Sequence, residues 1–203
     1  MHQKAQLAKI LAILPNPSLS RYFYRSVDNS AMHSTKPPNP LYSLGPGVRG
    51  QRYTPIGGPP ALYVSNKPYT AFAEGTHSIT SSLSQTIVPP APVIVYAIQV
   101  NLKHILDLTD KNVLNALGTT IEELQGPWAD QVVNGVDVPT HLLAGTVHKT
   151  HRFQGMLFNS KEHPEGINLI IWTNKVRSPS YVEVYDPTGK LAARIPKTQQ
   201  KTK

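Results

Sequence analysis

The stretch that decides the fold is Arg52-Tyr53-Thr54-Pro55-Ile56-Gly57-Gly58-Pro59-Pro60-Ala61-Leu62-Tyr63-Val64-Ser65-Asn66-Lys67-Pro68-Tyr69-Thr70-Ala71-Phe72-Ala73-Glu74. The Gly and Pro residues at 57–60 predict a turn. Residues 61–65 are apolar around a tyrosine and predict a short strand that ends in a serine. Asn66 is a suitable helix N-cap, and Pro68 suits the first turn of a helix through Glu74. The stretch therefore predicts a turn, a strand and a short helix in succession.

The rest of the chain predicts short strands on both sides of a helical middle. Upstream, a helix at residues 7–14 precedes a strand at residues 21–27 and a loop at residues 28–50, long enough to be functional or mobile. Downstream, a β-branched strand at 93–100 precedes helices at 110–117 and 139–150, with a capping box at 120–123 between them. Further strands are predicted at 155–158, 168–172, 181–185 and 191–195. Because the sequence has no repeat and no regular βαβ alternation, the predicted class is α+β.

The composition fits one ordinary domain with a short extension at each end. The 203 residues are 39% hydrophobic and 16% charged, which argues against wholesale disorder. The absence of Cys excludes a disulfide scaffold, a cysteine zinc site and a cysteine nucleophile. We place an N-terminal helical extension at residues 1–18, one domain at residues 19–196 and a disordered basic tail at residues 197–203.

The net charge of +8 is unevenly distributed along the chain. The first 73 residues hold eight Lys or Arg and a single acid, Asp28, and the last 17 hold five Lys or Arg and no acid. Arg25 and Arg52 stand beside aromatic residues in strand-like segments. That arrangement suits a bound phosphate next to a stacked ring, although such arginines also pair with acids from other segments.

The apolar stretch at residues 7–14 is too short for a transmembrane helix, and no signal-peptide cleavage site follows it. We expect a helix docked on the domain, with a role in binding a partner or a membrane surface as the alternative. The protein is therefore predicted to be cytoplasmic, without membrane attachment.

Common catalytic and binding motifs are absent from the sequence. It has no GxGxxG motif directly after a predicted strand, no GxxxxGK(S/T) phosphate loop, no HExxH zinc motif and no GxSxG nucleophile elbow. His148 and His151 are spaced to share a helix face, but no third ligand stands nearby, so we expect no metal site. Without helix-turn-helix or zinc-finger spacing, any contact with nucleic acid is expected to be indirect or nonspecific.

Four pieces of the sequence, in order, resemble the RES domain family. The stretch at 52–74 resembles its Arg–aromatic pair, Pro/Gly turn, apolar–Tyr strand ending in Ser, and helix reaching Ala-x-x-Glu. Upstream, Tyr24-Arg25 resembles the family's early aromatic–Arg strand. Downstream, two segments resemble the family's two later strands: Gly155-Met156-Leu157-Phe158-Asn159-Ser160 and Asn168-Leu169-Ile170-Ile171. Trp128 stands where such domains often carry a Trp, and we expect it to serve packing. The resemblance covers about residues 19–175.

The resemblance implies an ADP-ribosyltransferase-like core of mixed and antiparallel sheets flanked by short helices, and an enzyme that uses NAD as substrate with no further cofactor. Members of the family are typically toxins of toxin–antitoxin pairs, neutralised by a partner with a helix-turn-helix domain. They remove NAD by hydrolysis or phosphorolysis of the nicotinamide–ribose bond. One departure lies at Gly50-Gln51-Arg52-Tyr53-Thr54, where the family usually has Gly-Gly-Arg-Trp-Asn. The aromatic role is kept by Tyr53, but the Asn is lost, which bears on substrate positioning.

The chemistry of single residues is compatible with that activity. Glu74 is the only acid between Asp28 and Asp107. A carboxylate stabilises the oxocarbenium-like state through which an N-glycosidic bond breaks, or activates the attacking water. Arg25 and Arg52 match the two charges of a pyrophosphate. We therefore predict Glu74, Arg25 and Arg52 as catalytic residues, and as substrate-binding residues Tyr24, Tyr53, Tyr63, Ser160 and Asn168.

Three other functions stay open at this point. A protein ADP-ribosyltransferase of the same fold would differ in the group that attacks the ribose. A non-catalytic basic module would bind nucleic acid or a protein through its N-terminal basic segment and its tail, in a salt-sensitive way. An RES-like domain that has lost its activity is the third, suggested by the departure at residues 52–54.

Overall fold

The computed structural model describes residues 1–33, 35–36, 38–80 and 92–197, without the side chains of residues 77–80. Within this part of the chain, eight strands form one mixed sheet with the order β4-β5-β6-β2-β1-β3-β7-β8. The parallel pair is β4 with β5, and the other described pairs are antiparallel. The strands are β1 (Leu19–Asp28), β2 (Ala61–Ser65), β3 (Val93–Leu102), β4 (Ile105–Asp107), β5 (Gly155–Asn159), β6 (Ile167–Trp172), β7 (Tyr181–Val184) and β8 (Arg194–Ile195).

Short helices flank the sheet, so the predicted α+β class with a mixed sheet between short helices is confirmed. None of the described helices combines the length and the apolar character that a membrane span requires. The helices are α1 (Lys4–Ile13), α2 (Asn29–Met32), α3 (Gly45–Arg49), α4 (Pro68–Thr80), α5 (Lys111–Leu117), α6 (Ile121–Leu124), α7 (Trp128–Val133) and α8 (Pro139–Lys149), with a 3-10 turn at Thr173–Lys175.

The sheet consists of two halves that meet at one residue pair. β1 pairs with β3 over ten residues, and β2 pairs with β6 over five. Between β1 and β2, the only pair within the described residues joins Tyr24 to Ser65. Since Ser65 is the last residue of β2, the two described strands meet only at this end of β2, and no continuous ladder of hydrogen bonds joins the rest of β2 to β1. We call this place the seam.

The sheet is also strongly curled. β3 and β4 are far apart in the strand order, yet only Lys103 and His104 separate them along the chain. The Cα atoms that flank two residues lie at most about 11 Å apart, so the two strands must approach each other across the concave face. The closure is held by hydrogen bonds from the Lys103 amide to the side chains of Gln154 and Ser180, at 2.9 and 3.2 Å.

Each face of the curled sheet covers its own hydrophobic core. The concave face encloses a cluster drawn from most of the strands, with Phe23 fully buried in it. The opposite face of the β4-β5-β6-β2 half packs against α1, α5, α6 and α8. Leu7 and Leu11 of α1 are fully buried in that second cluster, which agrees with the expectation that the N-terminal helix docks on the domain.

Several predicted elements are present with altered boundaries. The helix at 110–117 starts after its cap Asp110 and ends at Gly118, whose φ of +61° is the left-handed conformation that glycine adopts readily. Thr120 caps α6 by accepting a hydrogen bond from the Glu123 amide at 3.2 Å, as the capping-box spacing predicts. The helix of the quoted stretch extends beyond Glu74 to Thr80. Part of the predicted basic tail, residues 198–203, lies outside the described residues.

Four expectations were wrong in detail. Residues 52–54 are not strand-like: Gln51 and Thr54 bond to each other at 2.7 and 3.0 Å and close a turn. Asn66 does not cap α4, because its Oδ1 accepts from the Ile167 amide at 2.9 Å and so extends the pairing of β2 with β6. The predicted loop at 28–50 contains the short helices α2 and α3, and the last strand begins at Arg194. The structure also contains two elements, β4 and α7, that the sequence analysis does not predict, because each is too short to show a hydrophobic periodicity.

Gly155 allows a stability prediction at the centre of the sheet. A Cβ at this position would collide with the Ile170 carbonyl oxygen, which is backbone of a buried strand and cannot move aside. We expect Gly155→Ala to lower the free energy of unfolding by about 3 kcal/mol. Gly145→Ala is the matched control, because nothing lies within 4 Å of its added Cβ and alanine favours a helix. Urea unfolding of both variants measures the difference, and equal midpoints would contradict the prediction.

Candidate active site

Glu74 lies on α4, next to the seam, with a half-buried side chain. Its Oε1 accepts two hydrogen bonds of 2.6 Å, one from the hydroxyl of Ser160 and one from the amide nitrogen of Asn168. Its Oε2 has no hydrogen-bond partner among the described residues. The carboxylate is thus fixed through one oxygen and leaves the other for a ligand.

Ser65 orients the amide that holds Glu74. Its hydroxyl donates to Oδ1 of Asn168 at 2.6 Å, so the nitrogen of the same amide is directed to Glu74. Ser65 and Asn168 are both buried and face each other across the β2–β6 ladder. A polar chain therefore runs from one strand through its neighbour to the carboxylate on α4.

Ser160 is held by the loop that follows β5. Its hydroxyl accepts from the His163 amide at 3.0 Å while it donates to Glu74. The His163 ring in turn bonds through Nδ1 to the hydroxyl of Thr70 on α4, at 2.7 Å. Gly166 closes the loop, and a Cβ there would run into the side chain of Thr70. The loop and the helix are therefore held together at Thr70 and at Glu74.

Arg52 supports the same serine from the other direction. Its Nη1 donates to the carbonyl oxygens of Leu124 and Gly126, at 3.1 and 2.9 Å. The residue between them, Gln125, donates from Nε2 to the carbonyl of Ser160 at 3.1 Å. Nη2 and Nε of Arg52 have no hydrogen-bond partner among the described residues. The guanidinium both fixes this loop and keeps donors for an anion.

Tyr53 and Tyr63 lie beneath the candidate site. Tyr53 is only 2% exposed, and its ring packs on Phe158 with 4.5 Å between the centroids. The hydroxyl of Tyr63 bonds to the hydroxyl of Thr54 at 2.8 Å and accepts from the Tyr53 amide at 3.3 Å. Burial raises the pKa of both tyrosines above the ordinary value, so both stay neutral. At 2% exposure the Tyr53 ring has no open face for stacking on a ligand, whereas Tyr63 is half-buried with its hydroxyl bonded to Thr54.

Tyr24 and Arg25 point to opposite faces of β1. Tyr24 is half-buried and directly opposite Ser65, so its ring stands on the face that carries Glu74. Arg25 stands on the other face, where it donates to the carbonyls of Pro40 and Tyr42, at 2.8 Å each. Burial lowers the pKa of this guanidinium from its ordinary value. The structure thus joins Glu74, Ser160 and Asn168 in one cluster, places Tyr24 on the same face and directs Arg25 to the other.

A family model, the RES domain, matches residues 23–193 of this chain. The chain belongs to the RES domain family. The match includes every residue of the candidate site described above, and it confirms the family that the sequence resembles.

A solved structure agrees with this RES domain in fold. In the crystal structure of the M. tuberculosis MbcT–MbcA toxin–antitoxin complex, the MbcT toxin matches with a TM-score of 0.62, covering 89% of this chain and 90% of that one. The two sequences are 15% identical, so the similarity concerns the fold. A search of curated proteins found none significantly similar to this chain in sequence.

Some residues of the candidate site are not singled out by sequence reasoning. Ser65 lies within residues 52–74, and its role could have been predicted, because it is a polar residue at the end of an apolar strand. Thr70, Gln125 and His163 carry no such signal, because their partners are 93, 35 and 93 residues away.

Trp128 is half-buried, with its ring 6.0 Å from that of His141, which fits the packing role expected of it. Within the described residues, no group of three or more His, Asp or Glu side chains could hold a metal ion.

Proposed function

We propose that this RES domain is an enzyme that depletes NAD by breaking the bond between nicotinamide and ribose, with Glu74 as its catalytic carboxylate. The observation that carries the proposal is the anchoring of this carboxylate through one oxygen. Ser160 and Asn168 each donate to Oε1 at 2.6 Å, and Oε2 has no hydrogen-bond partner among the described residues. A carboxylate held in this way presents its second oxygen in a fixed direction.

The chemistry of the bond makes such a carboxylate useful. When the nicotinamide leaves, positive charge develops on the ribose anomeric carbon and ring oxygen. A negative charge that is already in place stabilises this state without first having to reorganise. The same carboxylate oxygen can instead accept a proton from the attacking group. Both roles require a fixed Glu74, which the hydrogen bonds from Ser160 and Asn168 supply.

The arrangement around Glu74 supports binding of the other parts of NAD. Arg52 retains Nη2 and Nε as donors for the pyrophosphate, a pairing that guanidinium groups favour. Arg25 donates through both Nη atoms to main-chain carbonyls, so we assign it the positioning of residues 40–42. Tyr24, beside the seam, is the aromatic residue placed to contact the nicotinamide or the ribose. Tyr53 and Tyr63 support the turn that carries Arg52.

The test is NAD turnover by the purified chain. We expect loss of NAD with stoichiometric release of nicotinamide. If the rate depends on inorganic phosphate, and phosphorylated ADP-ribose forms, the reaction is a phosphorolysis. If free ADP-ribose forms without phosphate, it is a hydrolysis. NAD that remains intact in both conditions, but is consumed when cell protein is added and labels that protein, would identify a protein ADP-ribosyltransferase instead. Intact NAD in all three conditions would overturn the proposal.

We further propose that the enzyme acts as a toxin with a cognate antitoxin. Support comes from the fold shared with MbcT, which was solved in complex with MbcA. The family resemblance suggests an antitoxin with a helix-turn-helix domain. Expression of the chain alone is expected to arrest growth as cellular NAD falls, and co-expression of the antitoxin is expected to restore both. Normal growth with a folded, active chain would contradict the toxin role.

Ser65 is expected to act as a positioning residue. In Ser65→Ala the Asn168 amide loses the partner that orients it, so Glu74 is held less firmly. Loss of one such hydrogen bond corresponds to about 1 kcal/mol, and we expect kcat to fall about 5-fold with KM nearly unchanged. Ser20→Ala, at an exposed position of β1, is the matched control. An equal change in KM and kcat would contradict the positioning role.

A further inference from the structure

A second concave site lies at the far end of the sheet. It is a cavity of about 300 Å³ between the end of α8, the start of β5 and the 3-10 turn after β6. Its lining side chains include His104, His151, Arg152, Asn174, Lys175 and Arg177. A volume of this size is at the lower end of the range for ligand pockets.

This basic cavity is separate from the Glu74 site. On β5, the cavity residue Gln154 precedes the strand, whereas Ser160 follows it. On β6, the cavity residue Asn174 follows the strand, whereas Asn168 lies near its start. At about 3.3 Å per residue, the two sites lie about 20 Å apart at opposite ends of the same two strands.

The cavity carries positive charge without a counter-charge. Arg152, Lys175 and Arg177 line it together with two histidines, and none of the lining residues is an acid. None of these five basic side chains forms an ion pair with an acid in the part of the chain that the structure describes. Burial lowers the pKa of Lys175, and burial and then the charge of Lys175 lower the pKa of His148 next to it. The second of these causes for His148, the charge of Lys175, agrees with the absence of an acid among the lining residues.

The hydrogen bonds leave several donors in the cavity without an acceptor. Nδ1 of His151 accepts from the Lys175 ammonium at 3.2 Å, so the ring proton is on Nε2. Nδ1 of His104 accepts from the Asn16 amide at 3.2 Å, with the same consequence. Neither Nε2 has a partner among the described residues. Among the described residues, the side chain of Arg177 bonds only to the carbonyl of its neighbour Val176, through Nη1 at 3.0 Å. Arg152 is used structurally and caps the last carbonyls of α1.

A backbone feature singles out the same place. His151 has a φ of +56°, the only positive φ of a non-glycine residue within the described residues. A left-handed conformation at such a residue is costly and is found preferentially at ligand sites and other functional positions. Here it orients the side chain whose Nδ1 faces Lys175.

We propose that the basic cavity binds a small phosphate-bearing anion, of the size and charge of a diphosphate. Three fixed cations and the free N–H groups of His104, His151 and Arg177 match the oxygens and the charge of such a group. A concave site of about 300 Å³ suits a diphosphate or the phosphate end of a nucleotide better than the extended backbone of a nucleic acid. The inference does not depend on the proposed NAD cleavage.

The test is titration of the full chain with inorganic diphosphate by calorimetry, with phosphate and ADP as further probes. We expect a Kd below about 1 mM for diphosphate. Arg177→Gln should weaken binding at least 10-fold without loss of thermal stability, because Arg177 is exposed and anchors no other element. Lys111→Gln, at an exposed lysine of α5, should bind like the unmodified chain. ADP binding more tightly than diphosphate, and weakened by Arg177→Gln, identifies a nucleotide as the source of the phosphate in the basic cavity.

A second variant separates this site from the one at Glu74. Arg52→Gln is expected to keep its diphosphate affinity, whereas Arg177→Gln is expected to keep its NAD turnover. Diphosphate affinity that falls in Arg52→Gln and not in Arg177→Gln would place the anion at the Glu74 site and overturn the proposal. Absence of binding overturns it as well. Tighter binding of a single-stranded oligonucleotide than of diphosphate, lost in Arg177→Gln, would identify a nucleic-acid surface and overturn the small-anion proposal.

Discussion

Glu74→Gln is expected to lower kcat for NAD cleavage by about 10³-fold, the largest single effect on activity that we predict. The glutamine retains an oxygen that accepts from Ser160 and Asn168, so the hydrogen bonds that fix the side chain persist. In the proposed mechanism, what is lost is the negative charge that opposes the cation on the ribose. The loss should therefore appear in kcat, with the fold and NAD binding retained. The measurement is nicotinamide release under saturating NAD, beside the binding of NAD by calorimetry.

The matched control for this variant is Glu122→Gln. It removes the same charge from an exposed position on α6 and is expected to leave turnover unchanged. A Glu74→Gln variant that keeps its rate within about 3-fold would remove the carboxylate from the mechanism. Equal losses in both variants would mean that net charge, and not the position of the carboxylate, limits the reaction.

Asn168→Asp is expected to have the second-largest effect. It replaces the amide donor by a carboxylate whose oxygen would lie 2.6 Å from that of Glu74, inside a buried cluster. Two carboxylates at this distance repel or must share a proton, and either outcome displaces or neutralises Glu74. We expect kcat to fall about 100-fold and the free energy of unfolding to fall by about 3 kcal/mol. Turnover and urea unfolding of the same preparation give both numbers.

Two further variants isolate the cause. Asn168→Ala removes the donor without adding a charge, so we expect a smaller loss of about 10-fold in kcat. Asn115→Asp makes the same chemical change on the exposed face of α5 and should be neutral. The prediction fails if Asn168→Ala is as inactive as Asn168→Asp, because the effect would then come from the lost amide alone.

The sequence predicts much of the fold because its signals are local. The β-branched run at 93–100, the apolar–Tyr strand before α4 and the glycine after α5 each specify their own element. The strand order depends instead on long-range pairing, which no local pattern encodes. Asn66 illustrates the difference. Its position before Pro68 favours a helix cap, but its side chain instead accepts a hydrogen bond from Ile167 at the start of β6, a strand distant in the sequence.

The candidate site was predictable to the extent that its residues lie in recognisable segments. Glu74, Ser160 and Asn168 converge in the structure as a cluster. Tyr24 and Arg25 are adjacent in one strand, so only one of them can face Glu74, and the pairing of Tyr24 with Ser65 decides which. The partners of Arg52 lie more than 70 residues further along the chain, which residue type and spacing do not reveal.

The contacts of Glu74 span a large part of the chain. Its donors Ser160 and Asn168 follow it by 86 and 94 residues, and the Ser65 bond that orients Asn168 spans 103. During synthesis, the ribosome therefore releases the carboxylate long before the groups that hold it, at about 5–20 residues per second. A nascent chain that ends before Ser160 contains Glu74 but neither of the two side chains that donate hydrogen bonds to it. The cluster around Glu74 can therefore form only after Asn168 has emerged, several seconds after Glu74, and on the proposed function the chain cleaves no NAD during that interval.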